Sequence, residues 1–176
     1  MNSTFGLTLA LVKPSTLVRP HAVQSIIELI RKENIYIIQR KQTLLSPSCA
    51  AEFYREHEGK FFYNRLVTYM TSGPLLAFTL AGNDIVTRWR ALMGPTKVYK
   101  TQHEVPSSIR GRYGISDTRN ATHGSDSSES ALTEIKFFFP EFDAEKWFKD
   151  HAGCFRMGTN VHFDESKGIH SCSEAA

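Results

Sequence analysis

The sequence predicts an α+β sandwich of ferredoxin-like type, a four-stranded antiparallel sheet with helices packed on it. Three observations lead there. Only four segments read as strands, a helix separates the first two, and the elements run β α β α α β α loop β α. A doubly wound parallel sheet is the alternative, but it ordinarily wants five strands and a regular alternation. A chain of 176 residues suits one domain of ordinary size.

Each element has a local reason. Leu7, Leu9 and Leu11 alternate with Thr8, Ala10 and Val12, a strand that Lys13-Pro14 ends. From about Pro20, Val23, Ile26, Ile27 and Ile30 recur at helical spacing, with Arg31, Lys32 and Glu33 on the polar side. Ile35 to Leu44 is rich in β-branched residues and reads as the second strand. Ser46-Pro47 starts a helix to about His57, since serine caps and proline is tolerated at the first helical position. A short helix over Phe62 to Thr71 stops at Ser72-Gly73-Pro74. Leu75 to Leu80 is almost wholly apolar, hence a central strand. Asn83 or Asp84 then caps a helix that buries Ile85, Trp89, Leu92 and Met93. Residues 94–116 read as loop, and a fourth extended segment falls just before His123. Asp126-Ser127-Ser128-Glu129 resembles a capping box opening a helix with Ala131, Leu132, Ile135 and Phe138. Beyond Pro140 the periodicity weakens, and from His151 the tail reads as loosely ordered.

Composition excludes several classes. Apolar residues at 41% and charged residues at 22% are globular values, and the longest apolar runs are far short of the roughly 20 residues that span a bilayer. The net charge of +3, with basic residues spread along the chain, suits a phosphate-bearing ligand and argues against nucleic acid as a partner. Cys49, Cys154 and Cys172 form no framework, so they read as cysteines of a reducing compartment. Cys154, His162, His170 and Cys172 match no standard metal spacing, and no metal ligand is assigned. No basic region followed by an apolar stretch marks the N-terminus as a targeting peptide.

Neither a G-x-x-x-x-G-K-[ST] loop nor a G-x-G-x-x-G turn occurs, so phosphates would be held by side chains. The richest polar stretch is Arg119 to Ser127, where His123 stands between an extended segment and a capped helix, beside Gly124. This histidine is either an accessible nucleophile, since neutral imidazole attacks phosphorus near pH 7, or a turn residue held by hydrogen bonds. Lys13, Arg90, Thr96 and Arg110 lie at element ends or in the long loop, as solvated groups or as a clamp for a triphosphate. Phe61-Phe62-Tyr63 is either a core cluster or the source of a ring that stacks on a base.

Asn120-Ala121-Thr122-His123-Gly124-Ser125-Asp126-Ser127 resembles the N-x-x-H-G-S-D-S signature of the nucleoside diphosphate kinase family. Leu11-Val12-Lys13-Pro14, Phe53 to His57 with Phe61-Phe62, Ser72-Gly73-Pro74, Arg90 to Thr96, and Ile109-Arg110-Gly111 resemble its other motifs, in order from Leu7 to Phe142. The resemblance implies a kinase domain over residues 1–142 and a partly disordered C-terminal extension over 143–176. It implies ping-pong transfer from ATP to nucleoside diphosphates, with His123 as nucleophile and Ser125 and Glu134 supporting it. It places Lys13, Tyr54, Arg90, Thr96, Arg110 and Asn120 on phosphate and ribose, and Phe62 on the base. Mg²⁺ would enter bound to the nucleotide, and base selectivity would be poor because a stacked ring reads a face and not an edge.

Several departures stand beside these matches. Ser15 and Thr16 replace the usual acidic and glycine pair, and Asp117 stands where a small apolar base contact is usual. The loop from Thr96 to Arg110 is longer than in the family's main branch, which argues against the hexamer that this loop helps build there. These features resemble a branch associated with mitochondria, so a mitochondrial location is implied, with the cytoplasm as alternative. The other functional expectation is a nucleotide-binding interaction protein whose kinase activity is weak or needs a protein partner.

Overall fold

The computed structural model describes residues 3–173; residues 1, 2 and 174–176 lie outside it, including the last three of the extension. The chain runs through β1 (Phe5–Val12), α1 (Pro14–Leu17), α2 (Pro20–Lys32), β2 (Tyr36–Thr43) and α3 (Pro47–Phe53). A 3₁₀ turn (Arg55–His57) leads to α4 (Tyr63–Met70), β3 (Leu75–Asn83) and α5 (Ile85–Met93). Then come α6 (Val98–Glu104), α7 (Ile109–Tyr113), β4 (Thr122–Gly124) and α8 (Ser128–Phe138). The last elements are α9 (Ala144–Asp150), α10 (Ala152–Met157), β5 (Val161–Asp164) and β6 (Ile169–Cys172).

The main sheet has the order β2-β3-β1-β4 with antiparallel neighbours throughout, the ferredoxin-like α+β arrangement. The two long central strands are buried on both faces, which is why they read as nearly continuous apolar runs. Leu7, Leu9 and Leu11 of β1 enter a core with Leu66, Met70, Ile135 and Phe138. Ala10 and Val12, on the opposite pleat, enter a second core with Ile26, Ile30, Trp89 and Met93. The register pairs Ala10 with Gly124, Leu11 with His123 and Val12 with Thr122. A short edge strand thus carries the histidine to the end of β1, where Lys13 follows.

Several helix ends follow the local chemistry. Ser46 caps α3 by accepting the Cys49 amide at 3.1 Å, with Pro47 in the first turn. At α8 the cap is Ser127, and its box partner is Ser130, one residue beyond the predicted pair. Asp84 precedes α5 with φ +47° and makes no cap; its carboxylate accepts the Thr4 amide at 3.0 Å, tying down the start of β1.

Besides the missing Asp84 cap, three expectations are corrected. Residues 94–116 hold α6 and α7 where loop was expected. Their signal is weak because α6 buries only Val98 and Thr101, and α7 contains Gly111. That glycine is needed because a Cβ there would come within 2.5 Å of the Val105 carbonyl oxygen. The stretch after Pro140, where the periodicity weakens, holds α9, and the tail from His151, expected to be loosely ordered, holds α10 and the β5–β6 hairpin. Trp147, Ala152 and Phe155 are buried in the Leu9 core, anchors too widely spaced to form an apolar period. Finally, Cys154 and Cys172 form a disulfide with Cα atoms 6.4 Å apart, leaving Cys49 free and exposed. The α10–β6 geometry joins them, and their separation of 18 residues carries no pairing signal. Among the described residues, no helix is long and apolar enough to cross a membrane.

Candidate active site

A cleft of about 480 Å³ opens between the α4 side and the segment leading into β4. Lys13, Arg110, Asn120 and His123 line it together with Phe61, Phe62, Lys97 and Asp117. A second cavity of about 700 Å³ shares His57, Thr96, Arg110 and His123 with the first and adds Arg90 and Glu134. His123 therefore borders both spaces.

The cationic groups are built in from element ends. Lys13 is 4% exposed, and its Nζ donates to Asn120 Oδ1 at 2.7 Å. Asn120 Nδ2 in turn donates to the Asp117 carbonyl at 2.9 Å. Burial, and then the Arg110 guanidinium, lowers the Lys13 pKa to about 7. Arg110 is buried on α7, with Nη1 donating to the Gly94 carbonyl at 2.7 Å and Nη2 to the Thr122 carbonyl at 3.1 Å. Gly94 has φ +78°, a conformation that favours glycine. Burial, and then Arg90, lowers the Arg110 pKa to about 10. Arg110 Nε and the Tyr54 hydroxyl are buried without a hydrogen-bond partner among the described residues. Burial raises the Tyr54 pKa, so the hydroxyl keeps its proton and remains a donor. Two buried cations and unused donors in one cleft fit an anion.

The histidine is held from both sides. Its Nε2 lies 3.0 Å from Glu134 Oε2, which also accepts the Ser125 hydroxyl at 2.6 Å. Ser125 is fully buried, and its oxygen accepts the Leu9 amide at 3.2 Å, so the support reaches into β1. A carboxylate can only accept, so the bond places the imidazole proton on Nε2 and leaves the Nδ1 lone pair free. Phe53 and Tyr54 stand edge-on to the ring, with centroids at 5.3 and 6.1 Å. Trp89 Nε1 donates to the His123 carbonyl at 3.2 Å. Gly124 makes that approach possible, since a Cβ there would lie 2.5 Å from Trp89 Cδ1.

The structure thus gathers Lys13, Tyr54, Phe62, Thr96, Arg110, Asn120 and His123 at the first cleft. Arg90 and Glu134 face the second cavity, and Ser125 lies buried beneath the histidine. Phe61 is 86% exposed, whereas Phe62 packs partly on the core. Sequence reasoning did not assign Phe53, His57, Lys97 or Trp89 to the site. Trp89 was legible only as a buried stripe residue, and Lys97 gave no signal beyond adjoining Thr96.

The chain belongs to the nucleoside diphosphate kinase family: the family's sequence model, "Nucleoside diphosphate kinase", matches residues 7–144. Within that class it is similar to "Nucleoside diphosphate kinase 6" of Rattus norvegicus, at 45% identity over 96% of this chain and 95% of the relative. The protein of that name from Homo sapiens is 43% identical over 93% of this chain and 88% of its own length. Coverage this high takes the likeness into the C-terminal segment. Among solved structures, the nucleoside diphosphate kinase of Aquifex aeolicus superposes with a TM-score of 0.74 at 37% identity, covering 77% of this chain and 96% of that one.

Proposed function

We propose that this chain is an active nucleoside diphosphate kinase that works through a phosphohistidine at His123. The observation that carries the reading is the Glu134–His123 bond, which leaves Nδ1 free in a cleft lined by Lys13 and Arg110. In the first half-reaction the Nδ1 lone pair attacks the terminal phosphorus of a nucleoside triphosphate such as ATP. The bond to the bridging oxygen breaks, and the diphosphate leaves with that electron pair. In the second half-reaction a terminal oxygen of another nucleoside diphosphate attacks the same phosphorus, and the N–P bond returns its electrons to Nδ1. Phosphoryl transfer is mainly positioning and charge stabilisation. Lys13, Arg90 and Arg110 supply charge, Tyr54, Thr96 and Asn120 supply hydrogen-bonding groups, and Phe62 offers a ring to the base.

Mg²⁺ fits as an ion carried by the nucleotide, because Asp117 is the one carboxylate lining the cleft among the described residues and an all-protein cage would need several. Bound with the nucleotide, it would offset the charge of the phosphates beside Lys13 and Arg110. The ion pair between Glu134 and the imidazolium that forms on phosphorylation would steady the intermediate.

Purified protein incubated with Mg²⁺ and ATP labelled at the terminal phosphate should take up acid-labile, alkali-stable label. Added nucleoside diphosphate should remove it, and the His123→Ala variant should take up none. Nucleotide binding without label would refute activity of the isolated chain and leave the reading of a binding protein that needs a partner.

A further inference from the structure

The two halves of the C-terminal segment are attached unequally. Trp147, Ala152 and Phe155 anchor α9 and α10 in the core. In the hairpin no residue of β5 or β6 is buried; Val161 and Cys172 pack on the margin of one core, Phe163 and Ile169 on that of the other. A two-stranded hairpin is marginal by itself, so this one depends on its attachments. Those made by side chains are weak. Arg31 pairs with Glu165 at 3.0 Å and lies 4.0 Å from the centroid of the Phe163 ring, but the paired side chains are 39% and 75% exposed, so water screens the charges. His170 Nδ1 accepts the Ile37 amide of β2 at 2.9 Å. Burial lowers the His170 pKa to about 4, so the ring is neutral near pH 7 and can accept. The remaining attachment is covalent. Cys172 pairs with Val161 at the open end of the hairpin, and the disulfide ties it to Cys154 on the anchored α10.

We propose that Cys154–Cys172 is a thiol–disulfide exchange site that latches the hairpin onto the edge strand β2, and that a dithiol opens it and releases the hairpin. Both cysteines are half-buried and so within reach of a small or protein dithiol. A sparse set of three cysteines is that of a protein which meets such reductants. A thiolate of the dithiol attacks one sulfur of the bridge, and the S–S electron pair passes to the other cysteine, which takes a proton. The second thiolate of the dithiol then attacks its own partner sulfur in the mixed disulfide, and the remaining cysteine leaves as a thiolate and takes a proton. The protein gains two electrons and two protons, and the dithiol becomes a disulfide. With the bridge open, only the screened Arg31 pair, the His170 bond and marginal apolar contacts hold the hairpin. Its departure frees the Ile37 amide and bares the outer edge of β2, which has β3 as its strand partner on one side alone. Such an edge can pair with another chain. The latch uses no residue of the transfer site, so it stands or falls apart from the kinase reading.

The test is amide hydrogen exchange of the full-length chain, read by NMR, in the oxidised protein, after reduction with dithiothreitol, and in Cys172→Ser. Alkylation under native conditions should modify Cys49 alone before reduction and all three cysteines after it. Removing the reductant and adding oxidised glutathione should restore the first pattern. The Ile37 amide and those of β5 and β6 should exchange roughly 30- to 300-fold faster in the reduced protein and in the variant, the range expected on losing a bridge across 18 residues. The amides of β1 and β3 should keep their protection. Hairpin amides equally protected in both redox states would overturn the proposal. So would a bridge that dithiothreitol does not open in the folded chain, or a loss of protection in β1 and β3 as large as that in the hairpin.

Discussion

Replacing Glu134 by glutamine tests the claim that this carboxylate sets the histidine tautomer. Glu134 Oε2 takes two hydrogen bonds, from His123 Nε2 at 3.0 Å and from Ser125 Oγ at 2.6 Å. A glutamine has one oxygen and one NH₂ for the same space. If the NH₂ faces the imidazole it donates, Nε2 becomes the acceptor, and the proton moves to Nδ1. If the oxygen takes the place of Oε2, it keeps both hydrogen bonds and only the charge is lost, so the charge is lost in either case. A hydrogen bond to a charged group is worth about 1.5–3 kcal/mol net. At about 1.4 kcal/mol per decade, phosphohistidine formation should slow by roughly 10- to 150-fold. ADP affinity should change by less than about twofold, because Glu134 does not line the first cleft. The assay is rapid-quench measurement of acid-labile label, beside calorimetric ADP binding and a thermal melt. A folded Glu134→Gln protein that labels at the wild-type rate would refute the part given to the carboxylate in the transfer.

Lys13, with its pKa lowered to about 7, binds fewer protons when folded than unfolded between about pH 7 and the ordinary lysine value. The burial cost is therefore largest below pH 7, and this residue's contribution to stability should rise with pH across that window. A bound phosphate draws the proton back, so at pH 8 ADP binding should take up close to one proton. Calorimetry in buffers of different ionisation enthalpy measures that uptake, which Lys13→Arg should abolish. Gly124→Ala puts a methyl 2.5 Å from Trp89 Cδ1 and 2.7 Å from Met93 Cε, so it should cost about 1–3 kcal/mol in denaturant melts and lower labelling at His123. Phe155→Ala removes a side chain 4% exposed, 5.1 Å from the Tyr36 ring and 5.5 Å from Trp147, and should cost about 3–5 kcal/mol. A loss below about 1 kcal/mol would show that α10 stands apart from the main core.

Much of the fold was legible because its signals are local. Four strands, the apolar face of α2, the Ser46 cap and the centrality of Leu75–Leu80 follow from period, branching and capping within a few residues. Where burial is spread thinly the period fails, as in α6 with two buried residues and in the segment anchored by Trp147, Ala152 and Phe155.

The sequence by itself determined the chemistry that the chain carries: a histidine in a small-residue turn, lysine and arginine at element ends, and an aromatic pair after the third helix. Only the tertiary structure decided how those groups act. The β1–β4 register brings His123 beside Leu11, and Ser125 beneath it anchors Glu134 against Nε2. Folding sets Lys97 on Asp117 at the cleft wall and closes Cys154 on Cys172. The reason is physical. Periodicity and capping act over one or two turns of chain, whereas tautomers, perturbed pKa values and disulfides depend on groups distant in sequence that burial forces into contact.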